Sequence, residues 1–293
     1  MFNPPQNSLS LVASNPRNIK IGSLTLDIIS TGGYYTCIQL PKHKIAIDMG
    51  ICPQEAIRAD HVFFTHPHVD HISAVIQHVS TREMISLKNP SYFIEDTHKD
   101  HFEAMIESWR KLSMSPLECT VIAIKPGEQQ YISKTITVEA FRSVHRIPCL
   151  GYTFFTNKNT LLPEYQNKPS AEIVQAKKKG ITVQEEVSIP ILSVTGDTTH
   201  HVFRNNPRIF ESEVIITEVT FFGDKISALE AQKRGHMHIL DILPYEEQLL
   251  NTNLVIMHLS SRYKLEEVER IVNNTFSKEL RERITLVSNT MVI

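Results

Sequence analysis

Phe64-Thr65-His66-Pro67-His68-Val69-Asp70-His71 is the stretch from which the rest of the chain is read. Three histidines and an aspartate fall within six residues, directly after the apolar run 61–64. Such a run reads as a buried strand, and the polar cluster behind it as the loop at the strand's end. A loop carried on a rigid strand can be both well positioned and reachable. Imidazole nitrogen and carboxylate oxygen suit zinc or a similar borderline metal. The alternation in His66-x-His68 lets both rings turn toward one ion, while Asp70 and His71 can turn toward a second. A polar surface loop that merely happens to be rich in histidine is the plainer alternative, and the density of ligand-type residues argues against it.

Composition bounds the answer. With 293 residues and 41% hydrophobic content, the chain can bury a large core as one big domain or two small ones. A net charge of -2 gives no global basic field, so any nucleic-acid contact must come from a local patch. Cys37, Cys52, Cys119 and Cys149 form no CxxC pair and lie in or beside apolar runs. They read as buried thiols of a reducing compartment, which argues for a cytoplasmic location. No apolar run reaches the roughly 18 residues of a membrane span. The start, with Pro4, Pro5 and Pro16, reads as a loose tail over 1–18, and 19–293 as a single domain.

From there outward the chain alternates. Strands are expected at 19–21, 24–30, 37–40, 45–47, 119–124, 135–141, 151–156, 189–194, 213–219, 253–259 and 284–288. Helices are expected at 53–59, 72–79, 95–112, 171–179, 226–234, 239–250 and 265–274. In the third of these, Phe102, Met105, Ile106 and Trp109 recur at helical spacing and read as core packing. Many short strands with interleaved helices favour an α/β architecture of two packed sheets with helices outside them.

Ligand-type residues recur at later strand ends: Val144-His145-Arg146, Thr195-Gly196-Asp197-Thr198 and Met257-His258-Leu259-Ser260. Asp48, followed by Met49-Gly50, also ends a strand. With the first cluster these supply five histidines and two aspartates from His66 to His258, enough for two metal shells with room for a bridging water.

His66-x-His68-x-Asp70-His71, with His145, Asp197 and His258, resembles the metallo-β-lactamase superfamily. Within it the chain resembles the short form of tRNase Z (ribonuclease Z). The more specific marks are Thr195-Gly196-Asp197-Thr198-Thr199, Thr217-Glu218-Val219-Thr220-Phe221, Gly235-His236-Met237-His238-Ile239 and His258-Leu259-Ser260-Ser261-Arg262-Tyr263. The likeness runs from about Gly22 to Tyr263. It implies an αββα sandwich of two mixed β-sheets with helices on the outer faces. It also implies a zinc-dependent endoribonuclease that removes the 3′ trailer of precursor tRNA, by hydroxide attack after the discriminator nucleotide.

Residue by residue, the resemblance places one Zn2+ on His66, His68 and His145, and a second on Asp70, His71 and His258, with Asp197 bridging. The same ligands accept Mn2+ or Fe2+. Asp48 becomes the acid that orients a metal-binding histidine. Asp70 accepts a proton from the nucleophile, and His236 donates one to the leaving oxygen while Glu218 fixes its orientation. Arg262 and Ser260 become candidates for gripping phosphate, and a homodimer is expected. Glu218 has a plainer reading as a solvated loop acid.

The chain also departs from the family pattern. Met237-His238 stands where a serine is usual, Thr217 precedes Glu218, and Val219 replaces a smaller residue. The exosite arm that clasps tRNA is reduced to an insertion near 157–189, and its Lys177-Lys178-Lys179 run reads more readily as a solvated helix face than as a phosphate contact. Two other functions remain open at this level. One is a small-molecule metallo-hydrolase of the same superfamily, a phosphodiesterase or thioesterase. The other is a binding protein that keeps the fold without catalysis.

Overall fold

Runs rich in Ile, Val, Leu and Phe pair into two mixed sheets in the computed structural model, which describes residues 11–13 (backbone only) and 17–288. After β1 (Leu11–Ala13) come β2 (Ile19–Ile21), β3 (Leu24–Thr31), β4 (Tyr35–Leu40), β5 (Ile45–Ile47), β6 (His61–Phe63), β7 (Ser91–Glu95) and β8 (Thr120–Ile124). Strands β2 to β8 stand side by side in that order, antiparallel up to β5 and parallel beyond it. The second sheet takes β9 (Gln129–Ser133), β10 (Ile136–Ser143), β11 (Cys149–Leu161), β12 (Gln184–Val194), β13 (Val214–Glu218), β14 (Asn253–Met257) and β15 (Ile284–Val287). Its first four strands are antiparallel, its last four parallel, and β1 returns to pair in parallel with β15. Strands β4, β5 and β13 are buried along their whole length, as strands covered on both faces must be.

Helices cover the outer faces. Helices α1 (Val69–Ile72), α2 (Val75–Met84) and α3 (Lys99–Ser113) belong to the first half, and α4 (Ser170–Lys178) lies in the interval between β11 and β12. Helices α5 (His201–Asn205), α6 (Ala228–Lys233), α7 (Glu246–Leu249), α8 (Leu265–Thr275) and α9 (Lys278–Arg281) follow in the second half. One core lies between the sheets and joins Leu26, Ile38 and Phe63 to Leu150, Phe154, Val194 and Met257. Val75, Val79, Phe102 and Ile106 pack under the first sheet, and Phe203, Ala231, Val268 and Leu280 under the second. The layers are therefore helix, sheet, sheet, helix, as the resemblance implies.

Several elements differ from the sequence reading for identifiable reasons. Strands β7 and β9 were not foreseen: Ser91–Glu95 follows a proline and runs straight into a helical pattern, and Gln129–Ser133 is a polar edge strand. The expected helix at 239–250 is a 3-10 run, Ile239–Tyr245, followed by one turn of α-helix, because Pro244 has no N–H to continue the ladder. The helix expected at 53–59 is a single 3-10 turn, Ala56–Arg58. Phe102 and Ile106 are core residues, but Trp109, in the last turns of α3, is 45% exposed. Within the proposed tail, Leu11–Ala13 forms a strand, while 1–10 and 14–16 lie outside the described residues. Cys37, Cys52 and Cys149 are buried and Cys119 half-buried, all as free thiols. No described helix is long and apolar enough to cross a membrane.

The interval near 157–189 is a continuation of the sheet. Strands β11 and β12 extend together beyond it, pairing Asn157 to Leu161 with Gln184 to Ser188, and α4 closes the end. Lys177, Lys178 and Lys179 are exposed there, and Lys177 Nζ donates to Gln184 Oε1 at 2.8 Å.

His78 on α2 is fully buried, with its Nδ1 2.8 Å from the Tyr92 hydroxyl. Burial, and then the nearby Arg82 charge, push its imidazole down to about 3. The unfolded chain therefore binds a proton near pH 6.5 that the folded chain refuses. The stabilising contribution is complete above pH 6.5 and is lost as pH falls toward 3, by about 2–3 kcal/mol at pH 4.5. In urea unfolding, His78→Asn is expected to lose correspondingly less stability than the parent between pH 6.5 and 4.5. Parallel pH profiles would contradict this.

Candidate metal centre

The centre forms where the C-terminal ends of strands from both sheets meet, the usual place for a site in open sheets. Strand β5 delivers Asp48, β6 delivers His66 and His68, and the one-turn helix α1 carries Asp70 and His71. From the other sheet, β10 leads to His145, β12 to Asp197, β13 ends on Glu218, and β14 leads to His258. Ties between the sheets set the height of the cluster. Tyr152 donates its hydroxyl to the Phe64 carbonyl at 2.6 Å, and the Leu150 amide donates to the Thr65 carbonyl at 2.9 Å. Asp48 and His258 both adopt left-handed backbone, φ 60° and 61°, which turns each chain sharply off its strand. For residues other than glycine that conformation costs on the order of 1 kcal/mol and gathers at functional sites. Gly196 (φ 63°) has a plainer need, since a Cβ there would lie 2.7 Å from the Thr65 Cβ.

Donor atoms converge in three overlapping groups, each within 4.8 Å: His66, His68, His145 and Asp197; Asp70, His71 and His258; and Asp197, His236 and His258. In the first, His68 Nδ1 lies 2.9 Å from His66 Nε2 and 3.2 Å from His145 Nε2. In the second, Asp70 Oδ2 lies 3.6 Å from His71 Nε2 and 3.4 Å from His258 Nε2. Asp197 faces both, with Oδ1 3.5 Å from His71 Nε2 and Oδ2 3.8 Å from His66 Nε2 and 3.4 Å from His258 Nε2.

Outer hydrogen bonds fix which ring nitrogen faces inward. His71 Nδ1–H donates to Asp48 Oδ2 at 2.7 Å, and Asp48 also accepts from the Thr65 amide and hydroxyl. His66 Nδ1–H donates to the Thr65 hydroxyl at 3.0 Å, His145 Nδ1–H to the Gly235 carbonyl at 2.8 Å, and His258 Nδ1–H to the Thr220 hydroxyl at 2.9 Å. Each of these rings thus turns its Nε2 toward the centre, the arrangement that orients metal-binding imidazoles. His71 Nε2 and Asp197 Oδ1 are buried with no hydrogen-bond partner. Unpaired buried polar atoms of this kind are costly, and a divalent cation would satisfy them. The donor set fits a metal.

Glu218 is fully buried and so is not a solvated loop acid. It accepts from the Thr198 amide, the Thr220 amide and the Thr220 hydroxyl, and at 2.8 Å from His236 Nδ1–H. Burial pulls His236 down, but the charge and hydrogen bond of Glu218, then Asp197 and Asp70, outweigh it and lift the ring to about 9. Burial raises Asp70 in turn, yet with no cation bound, His258 and His71 carrying a proton on Nε2 outweigh it through a hydrogen bond and a nearby charge and hold it at about 2. The Gly33 amide also donates to Asp70 Oδ2 at 2.9 Å. Ser260 is buried, and its amide donates to the Thr220 carbonyl, while Arg262 is exposed at the rim.

Sequence reasoning did not find the outer partners Thr65, Thr198, Thr220 and the Gly235 carbonyl. Threonines next to ligand-type residues were the available signal. The Met237-His238 departure has a structural account. Met237 is core, and His238 caps the following 3-10 run, accepting from the Leu240 amide and donating to the Gly223 carbonyl.

No family model matches the chain. It is 33% identical over 257 residues to tRNase Z TRZ1 of Arabidopsis thaliana, covering 87% of this chain and 92% of that protein. It is 31% identical to the chloroplastic tRNase Z TRZ2 of the same plant, covering 91% and 76%. Among solved structures it is similar to human tRNase Z, short form, with a TM-score of 0.60 at 17% identity, covering 91% of this chain and 97% of that one. It is likewise similar to the metallo-beta-lactamase fold protein YhfI of Bacillus subtilis, with a TM-score of 0.57 at 15% identity, covering 90% and 96%.

If Asp48 holds His71 in its metal-ready orientation, Asp48→Asn is expected to weaken zinc binding about 10–100-fold. Competition with a chromophoric chelator measures this without reference to activity. Unchanged affinity would contradict the role.

Proposed function

The chain belongs to the tRNase Z family of the metallo-β-lactamase superfamily, and from that premise we propose how its residues share the cleavage of precursor tRNA. It is a metal-dependent endoribonuclease of the hydrolytic type, and its relatives do not favour a small-molecule hydrolase. The finer reading is removal of the 3′ trailer by a cut after the discriminator nucleotide. The observation that carries it is the His236–Glu218 pair, an imidazole whose Nδ1 is held at 2.8 Å by a buried carboxylate beside the metal-type donors.

In this reading His66, His68 and His145 would hold one cation, and Asp70, His71 and His258 another, with Asp197 shared between them. Zinc suits this mixed nitrogen and oxygen set, and Mn2+ or Fe2+ are compatible with it. Two bound divalent cations supply Lewis-acid stabilisation of phosphate charge and lower the pKa of coordinated water. Asp70, whose Oδ2 stands 3.4 Å from His258 Nε2 and 3.6 Å from His71 Nε2, would accept the proton of the attacking water. His236 keeps its proton until the 3′ oxygen departs and donates it there. Glu218 steadies the imidazolium and fixes the orientation of the ring. Arg262, with no side-chain partner among the described residues, is placed to meet phosphate, and Ser260 holds its loop against Thr220. The products are a tRNA with a 3′ hydroxyl and a trailer with a 5′ phosphate. The reading extends to a homodimer, on the strength of the resemblance, and to a reducing compartment such as the cytoplasm, on the strength of the free thiols.

The proton-donor role is tested with a leaving group that needs no proton. On ordinary precursor tRNA, His236→Ala is expected to lower kcat about 10²–10⁴-fold. With a bridging 3′ sulfur at the scissile linkage, most of that loss is expected to vanish. An equal loss on both substrates would assign His236 another task.

A further inference from the structure

Arg146 directly follows His145, and neither the metal shells nor the proton-transfer pair uses it. Its side chain is exposed, and among the described residues it has no ion-pair or hydrogen-bond partner. Arg234, beside Gly235, is by contrast engaged with Glu230 at 3.0 Å. The stem of Arg146 has a defined seat. It packs against Gly235, where a Cβ would lie 2.9 Å from Arg146 Cγ and 2.8 Å from His145 Nδ1. Gly235 (φ 82°) therefore lets the Arg146 stem lie beside His236, the next residue in the chain.

The loop that carries Arg146 is held at both ends. The Val144 amide donates to the Thr198 hydroxyl at 3.0 Å, and the Thr199 amide donates to the Val144 carbonyl at 2.9 Å. His98 Nε2–H donates to the Pro148 carbonyl at 3.2 Å, and the Leu150 amide is tied to Thr65. An unpaired guanidinium on a restrained loop loses little freedom on meeting an anion, and its planar fork matches phosphate.

His236 neighbours both other rings, with centroids 5.1 Å from His145 and 5.6 Å from His258. Arg146 follows His145 in the chain, and Arg262 follows His258. In the endonuclease reading His236 serves the departing 3′ oxygen, which belongs to the discriminator nucleotide, and the Arg146 stem lies against Gly235 beside it, on the leaving-group side. We propose that Arg146 binds the phosphodiester on the 5′ side of the discriminator nucleotide, one linkage upstream of the scissile bond. This rests on the endonuclease reading above and adds a substrate contact to it.

The test uses metal-loaded wild type, Arg146→Gln and Arg146→Lys. Each is assayed on precursor tRNA and on the same RNA with one uncharged methylphosphonate at that upstream linkage. On native RNA, Arg146→Gln is expected to lower kcat/KM about ten-fold, mainly through KM, as loss of one hydrogen bond to a charged group implies. Its plot of log kcat/KM against log salt is expected to be shallower by about 0.7, the slope of one single-strand phosphate contact. Arg146→Lys is expected to recover part of the loss, and wild type and Arg146→Gln to converge on the methylphosphonate RNA. The same loss on both RNAs, or no loss on native RNA, overturns the proposal. A wild type that cuts neither RNA overturns the endonuclease reading itself, and the proposal with it.

Discussion

A carboxylate with no solvent exposure, Asp48, takes hydrogen bonds from the Thr65 amide, the Thr65 hydroxyl and His71 Nδ1–H, and the geometry of the centre depends on them. Burying an ionised carboxylate is expensive unless its oxygens are satisfied. Here the donors that satisfy it are the loop that carries the metal-type residues, so the cost of burial is offset only when that loop is in place. The left-handed turn at Asp48 belongs to the same arrangement, because it points the carboxylate back under the loop.

Glu218 does the corresponding work on the second sheet. It too is fully buried, ends a strand, and is satisfied by Thr198, Thr220 and His236. Thr220 then passes the order outward to His258 Nδ1. Each sheet thus anchors its share of the site on one buried acid at a strand end. The two shares are brought to a common height by Tyr152 and Leu150, which bond to Phe64 and Thr65 across the interface. Function follows from this mutual restraint: ring nitrogens and carboxylates converge at one place, and His236 is held beside them by Glu218.

Much of this was legible in the sequence, for physical reasons that differ by residue. His66, His68, Asp70 and His71 are dense enough to be read alone, and His145, Asp197 and His258 each follow an apolar strand. The strands that form the interior are apolar runs buried on both faces, and that signal is strong. Strands β7 and β9 escaped notice because one merges with a helical pattern and the other is a polar edge. Thr65 and Thr220 were missed because a hydroxyl relay depends on which loops meet in space, and nothing in their spacing announces it. Glu218 could be named through the resemblance, but its burial could not. The stretch near 157–189 looked like a polar insertion, and its strand character shows only in the cross-strand pairing of β11 with β12.

The account as a whole is tested most directly by mapping the ends left when metal-loaded protein cuts a precursor tRNA. It predicts a single cut after the discriminator nucleotide, with a 3′ hydroxyl on the tRNA and a 5′ phosphate on the trailer. A 2′,3′-cyclic phosphate on the tRNA, or a ladder of ends shortened from the 3′ side, would contradict it.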